Sequence, residues 1–286
     1  MGSAPKPRDS DLDFFGLTDQ GRVRQENQDH FLYATLHKLM RVGGTSLPNR
    51  ELLELPSERL ASFALVADGV GGSADGETAS RAALETIADY VTNSMRCFYT
   101  ADTTNQTTFL EALRAGAVRT HEAVSSRAAE RGPGHAIATT LTGLLAVWPM
   151  LYLLQVGDSR CYRFRNGQLQ QLTRDQTMAQ DLVDLGILPA ERADRTRYAH
   201  VLSSSIGGQA SQPVVSAHEM LPGDVLMLCT DGLTKHVTPA QIAERLGERA
   251  GSETACRKLV QDALDGGGSD NVTVVVLGAR HPGIAI

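Results

Sequence analysis

The sequence predicts an α+β fold built on antiparallel sheet, and three features support that class. Short apolar or alternating stretches, typical of strands, are separated by turn residues. The dipeptide Asn166-Gly167 joins two of these stretches as a hairpin, because both residues tolerate a positive φ. Helical periodicity is confined to a pair of segments before the hairpins and to segments near the end of the chain. Hairpin-linked strands with helices arriving in pairs favour antiparallel sheet over alternating parallel units.

The predicted elements alternate between strand-rich and helix-rich parts of the chain. The strands are expected at residues 14–18, 31–36, 63–67, 140–147, 151–156, 160–164, 169–173, 224–229 and 272–277. Apolar residues repeat at helical spacing over 84–95, 110–124 and 256–264. Residues 39–59 are polar and interrupted by Gly and Pro, so we expect a loop or insertion there. Residues 176–208 combine one helix with a charged stretch that is expected at the surface.

Length and composition indicate a single folded domain. The chain has 286 residues, 42% of them hydrophobic, and a net charge of −6, so neither disorder nor a small disulfide-dependent scaffold is expected. A chain of this size buries roughly 70% of its surface on folding, which is enough for a substantial core. We expect one domain over residues 12–280, a flexible N-terminal tail over 1–11 and a short C-terminal tail over 281–286.

Charge and cysteine content narrow the partners and the location. Lysine and arginine total 27 against 33 aspartate and glutamate residues, so no basic field for nucleic acid is expected. No stretch approaches the ~20 continuous apolar residues of a membrane helix, and the first residues lack the apolar core of a secretory signal. The four cysteines form no CxxC pair, which favours a reducing compartment and predicts the cytoplasm.

Aspartates at the ends of predicted strands are the candidate chemistry of this chain. They are Asp29, Asp68, Asp231 and Asp270, and Gly69 and Gly232 follow two of them. Taken singly, each is most simply a turn residue or a solvated strand end. If the strands carry them to one edge, their mutual repulsion raises their pKa values unless a cation compensates. Oxygen donors suit Mg²⁺ or Mn²⁺, and the sequence has no Cys/His cluster with zinc spacing.

Six short motifs follow one another along the chain: GRVRQENQD, VADGVGG, ATTLTG, VGDSR, CTDGL and SDN. In this order and at these separations they resemble the bacterial branch of the metal-dependent Ser/Thr protein phosphatase family (type 2C). The resemblance covers residues 14–277. It implies a central antiparallel β-sandwich flanked by paired helices, in α-β-β-α layers. It also implies hydrolysis of phosphoserine and phosphothreonine on proteins, which reverses Ser/Thr kinase signalling.

The resemblance further implies a set of metal ligands. Asp68 would be catalytic, bridging two Mn²⁺ or Mg²⁺ ions that activate the attacking water. Asp231 and Asp270 would complete the ligands of the first ion. The carbonyl of Gly69 would bind the second ion, and Asp29 would bind it directly or through its waters.

Three further residues match the family's motifs. Arg24 would be catalytic by binding the substrate phosphate, because its planar guanidinium donates two parallel hydrogen bonds to phosphate oxygens. Asn271 is expected to orient the loop around Asp270. Asp158, in VGDSR, is interpreted as a structural residue at a strand end in preference to a metal ligand.

Three positions depart from the family's patterns. Gln28 stands where many members have glutamate, which affects only the electrostatics of the second ion. Val70 replaces the histidine of the DGHGG motif, so the leaving group must take its proton from metal-bound water or another side chain. Ala136 stands where bacterial relatives often have an aspartate that helps to bind a third metal, and the adjacent His135 is a weak substitute. We therefore expect two metal ions, with a third weakly bound or absent.

The expected partners are phosphorylated proteins and a cognate Ser/Thr kinase, with the chain itself a monomer. Two other interpretations remain open. A non-catalytic regulator with the same fold would bind phosphoproteins without hydrolysing them, although a dead enzyme has no reason to keep every ligand. A Ca²⁺-binding structural module is the other, although the aspartates lack the alternating spacing of an EF-hand loop.

Overall fold

Two antiparallel β-sheets stack face to face in the computed structural model of the chain, with helices on the outer face of each sheet. The structure describes residues 5–40, 55–71, 74–95, 106–130, 132 and 137–279. The four layers confirm the predicted α+β class and the α-β-β-α order.

The strands form two sheets whose described pairings are all antiparallel. They are β1 (Leu12–Asp19), β2 (Asp29–Met40), β3 (Leu55–Val70), β4 (Ala138–Thr139), β5 (Leu141–Val147), β6 (Met150–Val156), β7 (Arg160–Arg165), β8 (Gln168–Gln171), β9 (Val214–Glu219), β10 (Val225–Cys229) and β11 (Val272–Ala279). One sheet has the order β2-β3-β5-β6-β9, with β4 paired to β3, and the other has the order β1-β11-β10-β7-β8. The predicted hairpin joins β7 to β8, where Asn166 and Gly167 have φ values of 51° and 80°.

The helices cover the outer faces of the sheets. They are α1 (Ala74–Asp89), α2 (Gln106–Glu130), α3 (Met178–Asp184), α4 (Asp231–Thr234), α5 (Pro239–Gly247) and α6 (Ser252–Asp265). Ile87 of α1 and Phe109 of α2 are buried with Leu154 of the first sheet. Cys256 of α6 is buried with Val274 of the second sheet. None of the helices in the described ranges is long and apolar enough to cross a membrane.

The central strand β3 shows why the sheets stay in register. Ala64 and Val66 face the second sheet and pack in the same cluster as Val275. Leu65 and Ala67 point the other way, into the layer of α1 and α2. This alternation follows from the two-residue repeat of a strand, and a slip by one residue would exchange the two faces. Burial on both faces therefore fixes the register of β3, and with it the position of Asp68 opposite Asp29.

The predicted loop over residues 39–59 is wrong at both ends, because β2 runs to Met40 and β3 begins at Leu55. Residues 41–54 lie outside the described part of the chain. Among the described strands, the first residues of β3 pair with β2 and no other, and the register of this pairing shifts twice, at Leu36/His37 and at Lys38/Met40 of β2. Ser57 and Glu58 are exposed. Backbone hydrogen bonds hold this extension, so it needs no apolar alternation and its sequence carries no strand signal.

The short strand β4 and the edge strand β9 were not predicted. Among the described strands, β9 pairs with β6 and no other, and its residues from Val215 to His218 are only partly buried. Edge strands of this kind mix polar and apolar residues on both faces, which hides the period of two.

Residues ahead of β1 contact the first sheet. Asp9–Asp11 form a short 3₁₀ turn, and Arg59 donates hydrogen bonds to Asp9 Oδ1 at 2.7 Å and to the carbonyl of Pro7 at 2.6 Å. The domain boundaries and the two tails stay predictions.

Candidate functional site

A cavity of about 160 Å³ lies at one edge of the sandwich, where the ends of strands from both sheets meet. β3 and β10 run towards this edge, whereas their antiparallel neighbours β2 and β11 start from it. Its lining is Arg24, Gln28, Asp68, Gly69, Val70, Gly71, Thr140, Asp158, His200, Leu202, Asp231, Lys235, Asp270 and Asn271. Every residue predicted for the site from the sequence is therefore in the lining except Asp29, which is buried beside it.

Asp29 and Asp68 face each other across β2 and β3 as partners in the strand register. Asp29 is only 3% exposed, and its Oδ2 accepts hydrogen bonds of 2.8 Å from the hydroxyls of Thr230 and Thr273. Its Oδ1 has no hydrogen-bond partner in the described part of the chain. Burial raises the pKa of Asp29 to about 7, although the two hydroxyls oppose the rise.

The backbone of Asp68 is held by Thr139 and Thr140 of the ATTLTG motif. Its amide donates to Thr140 Oγ1 at 2.9 Å. Its carbonyl accepts from the Thr139 hydroxyl at 2.8 Å and from the Thr140 amide at 2.9 Å. Burial, followed by the charges of Asp29 and Asp231, raises the pKa of Asp68 well above its usual range. The motif thus holds a carboxylate in a position that is unfavourable for its charge.

Asp231 and Asp270 share Lys235, a residue that was not predicted for the site from the sequence. Asp231 is the first residue of α4, and Lys235 Nζ lies 2.7 Å from Asp231 Oδ2 and 2.7 Å from Asp270 Oδ2. Asp231 Oδ1 is buried without a hydrogen-bond partner among the described residues. The signal that could have identified Lys235 is its position four residues after Asp231, which puts the two on one helix face.

Arg24 forms a fork on Asp270. Its Nε lies 2.6 Å from Asp270 Oδ1, and its Nη2 donates to Oδ2 at 2.9 Å. Although burial opposes the change, hydrogen bonds from Arg24 and Lys235 lower the pKa of Asp270. Half of the Arg24 side chain is exposed. The arginine that is predicted to bind the substrate phosphate therefore lies at the rim of the cavity.

Gly69 and Asn271 order the backbone around the carboxylates. A Cβ on Gly69 would lie 2.3 Å from the carbonyl oxygen of Gly76 in α1, so this position requires glycine because a helix packs against it. Asn271 accepts from the amide of Gln28 at 2.9 Å and donates to the carbonyls of Gln20 and Glu26. The side chain of Asn271 therefore holds the loop that carries Arg24, whereas its orienting role around Asp270 stays a prediction.

Asp158 and His200 also belong to the cavity. Asp158 is 8% exposed, and burial, with Asp231 as the next cause, raises its pKa to about 7. His200 is two-thirds exposed, with Nδ1 4.0 Å from Asp231 Oδ2. Its flanking stretch is charged, which made it resemble an ordinary solvated surface in the sequence. Ala136 and His135, on which the expectation about a third metal rests, lie outside the described residues.

The fit of the cavity to a divalent cation depends on which carboxylate oxygens are already paired. Over the described ranges, no group of three or more His, Cys, Asp or Glu side chains is arranged to hold a metal ion as it stands. Lys235 occupies Asp231 and Asp270, and Arg24 also occupies Asp270. Among the described residues, Asp29 Oδ1 and Asp231 Oδ1 are nevertheless buried without hydrogen-bond partners. Burial raises the pKa values of Asp29 and Asp68, and neighbouring carboxylate charges add to the rise. Hard oxygen donors with excess negative charge fit Mg²⁺ or Mn²⁺, provided that the lysine moves.

Comparisons with known proteins agree with this geometry. PstP, a serine/threonine protein phosphatase of Mycobacterium tuberculosis, is 34% identical over 216 residues, which are 76% of this chain and 40% of that protein. The chain thus spans less than half the length of this curated relative.

Solved structures extend the match over the whole fold. A crystal structure of the M. tuberculosis phosphatase PstP/Ppp has a TM-score of 0.74 at 29% identity, covering 94% of this chain and 99% of that one. The catalytic domain of PstP in complex with two manganese ions has a TM-score of 0.70, with the same identity and coverage. The family model described as protein phosphatase 2C matches residues 55–266. On fold, site and family model together, the chain belongs to the protein phosphatase 2C family.

Proposed function

We propose that this chain hydrolyses phosphoserine and phosphothreonine on proteins in a metal-dependent reaction, and thereby opposes Ser/Thr kinases. One observation carries the proposal: carboxylates from four distant segments meet at one cavity, with an arginine at its rim. A relative that binds two manganese ions supports the same chemistry. The alternative of a Ca²⁺-binding structural module has no comparable support.

The proposed ligands divide between two Mn²⁺ or Mg²⁺ ions. Asp68 would bridge them, Asp231 and Asp270 would complete the first, and the carbonyl of Gly69 with Asp29 would serve the second. Such a pair supplies charge neutralisation and a water of lowered pKa for attack on phosphorus. Thr230 and Thr273 keep Asp29 fixed by accounting for one of its oxygens, so that the other remains available as a ligand.

Arg24 would bind and orient the phosphate. Its guanidinium now forms a fork on the carboxylate of Asp270, and phosphate oxygens accept the same two parallel donors. If the Arg24 guanidinium released Asp270 and bound the substrate phosphate, it would hold the phosphorus in line for attack. Val70, exposed at the cavity, has no proton to give, so the leaving oxygen takes its proton from water or another side chain.

Several finer points are part of this proposal. A third metal would be weak or absent, because alanine replaces an aspartate at position 136. The partners would be phosphoproteins and a cognate Ser/Thr kinase, with the chain acting as a monomer. Cys161, Cys229 and Cys256 are free and buried, which supports a reducing compartment and the cytoplasm.

A phosphatase assay tests the proposal. The purified chain is incubated with a phosphothreonine peptide and with p-nitrophenyl phosphate, in Mn²⁺ and in EDTA, beside Asp68→Asn and the exposed control Glu253→Gln on α6. We expect turnover that requires Mn²⁺, survives in Glu253→Gln and falls at least about a hundredfold in Asp68→Asn. Metal binding without turnover in the unaltered chain would instead favour a phosphoprotein-binding regulator.

A further inference from the structure

Lys235 lies between two carboxylates proposed as ligands of the first metal ion. Its Nζ is 2.7 Å from both Asp231 Oδ2 and Asp270 Oδ2. The side chain is 23% exposed and lines the cavity. A divalent ion bound by Asp231 and Asp270 would therefore compete with this ammonium for the same two carboxylates.

The backbone fixes the root of this side chain and leaves its end free. The amide of Lys235 donates to the carbonyl of Asp231 at 2.9 Å at the end of α4. The ammonium sits on a flexible four-carbon stem, so it can move towards solvent without any change in the helix. A lysine side chain carries its positive charge at neutral pH, so a cation stands between Asp231 and Asp270 there.

We propose that Lys235 is a built-in counter-ion, which neutralises Asp231 and Asp270 in the metal-free protein and must be displaced by the first divalent ion. This inference rests on the metal site of the proposed function. Arg24 compensates Asp270, but without Lys235 the carboxylate of Asp231 would face Asp68 and Asp270 with no lysine or arginine partner among the described residues. Lys235 therefore stabilises the metal-free fold. Because two cations repel each other at this range, the lysine also lowers the affinity for the first ion. Lys235 thus sets the metal concentration at which the site fills.

Metal binding in the absence of substrate tests this inference. Mn²⁺ affinity is measured by titration calorimetry at neutral pH for the unaltered chain, for Lys235→Met and Lys235→Gln, which remove the charge, and for Lys235→Arg, which keeps it. Lys258→Met is the matched control, because that lysine pairs with Glu248 outside the cavity. We expect the neutral variants to bind the first ion about tenfold more tightly, which corresponds to about 1.4 kcal/mol. Lys235→Arg and Lys258→Met should bind like the unaltered chain.

Thermal unfolding provides a second readout on the same proteins. In EDTA, Lys235→Met and Lys235→Gln should unfold at a lower temperature than the unaltered chain, and Mn²⁺ should raise their Tm by a larger amount. Equal or weaker Mn²⁺ affinity in both neutral variants, with the unaltered chain binding Mn²⁺, overturns the inference and leaves the proposed function standing. Failure of the unaltered chain to bind Mn²⁺ overturns both.

Discussion

Asp29 depends on two hydroxyl groups that lie behind it. The hydroxyls of Thr230 and Thr273 both donate to its Oδ2, and Thr230 Oγ1 also accepts the amide of Thr273 at 3.0 Å. These bonds stabilise the ionised carboxylate against a burial that raises its pKa. Thr230 directly precedes Asp231, and Thr273 is two residues after Asn271. Both therefore position Asp29, which is more than 200 residues away in sequence.

Loss of one of these hydroxyls should affect both stability and metal binding. In Thr230→Val, we expect the free energy of unfolding to fall by about 1–2 kcal/mol, since a buried amide and carboxylate each lose a partner. Mn²⁺ affinity should also fall, because Asp29 then holds its proton more tightly. Urea unfolding and calorimetry measure the two effects. The control is Thr92→Val, because the exposed Thr92 hydroxyl donates to the carbonyls of Ala88 and Asp89 at the end of α1, away from the cavity. Equal behaviour of the two variants would contradict the role given to Thr230.

The guanidinium geometry of Arg24 should matter more than its charge. Arg24→Lys keeps a cation near Asp270 and loses the fork, so kcat/KM for a phosphothreonine peptide should fall at least about tenfold. Mn²⁺ affinity should change little. Arg22→Lys is the matched control, because Arg22 makes an exposed ion pair with Asp265 outside the cavity lining. If Arg24→Lys lowered Mn²⁺ affinity and left kcat/KM at saturating Mn²⁺ unchanged, Arg24 would stabilise the carboxylates and would not bind the phosphate.

At the scale of elements, the contact between β3 and α1 controls the geometry around Asp68. A Cβ at Gly69 meets the backbone of Gly76, and a Cβ at Gly76 would meet the side chain of Gln28. Two glycines thus allow the helix to approach the strand that carries the site. No rotamer change relieves a clash with backbone atoms, so the helix or the strand would have to shift.

Gly69→Ala should therefore lower the free energy of unfolding by about 1–3 kcal/mol or more, as overpacking does. Gly278→Ala, a strand position where a Cβ would be 3.9 Å from the nearest atom, should change it much less. Urea unfolding of both variants in EDTA separates this packing effect from any effect on metal binding. Similar stability of the two variants would show that β3 and α1 yield easily at this contact.

Elements with a buried face were predictable from the sequence, and exposed ones were not. The strand cores around Val66 and Val275 and the apolar faces of α1, α2 and α6 carry clear periodicity because burial selects it. The extension at Ser57 and the edge strand β9 are held by backbone bonds, which leave no mark on residue type. The sequence therefore predicts the layers of the fold better than the lengths of its strands.

At the scale of the whole molecule, the site concentrates negative charge that folding alone leaves unfavourable. Burial raises the pKa of Asp29 and of Asp158 to about 7, against about 4 for an unfolded carboxyl group. A raised pKa in the folded state adds stability that is full below about pH 4 and is lost as pH rises through about 7. Asp270, whose pKa is lowered, changes only below this range and does not offset the loss.

The metal-free protein should accordingly become less stable as pH rises from about 4 to above 7, by an amount on the order of a few kcal/mol. Urea unfolding in EDTA across this range measures the slope. Saturating Mn²⁺ should remove most of it at neutral pH, because the ions compensate the same carboxylates. Stability that increases over this range in EDTA would contradict the buried and uncompensated charges described for the site.

The convergence of the aspartates followed from motifs and strand order, whereas their counter-charges did not. Asp29, Asp68, Asp231 and Asp270 were expected at one edge because strand ends meet there. The spacing of four residues could have paired Lys235 with Asp231. Its second contact, with Asp270, and the hydroxyls behind Asp29 are revealed only by the distances in the folded chain. The sequence thus predicts which carboxylates could bind a metal ion. The fold determines which side-chain cations pair with those carboxylates.

We infer that carboxylates separated along the whole chain hold two divalent ions together. Equilibrium dialysis with metal analysis tests this inference by counting the Mn²⁺ ions retained per chain. We expect two ions for the unaltered chain and the loss of at least one in Asp68→Asn. No retained Mn²⁺ in the unaltered chain, or two ions still retained in Asp68→Asn, would contradict it.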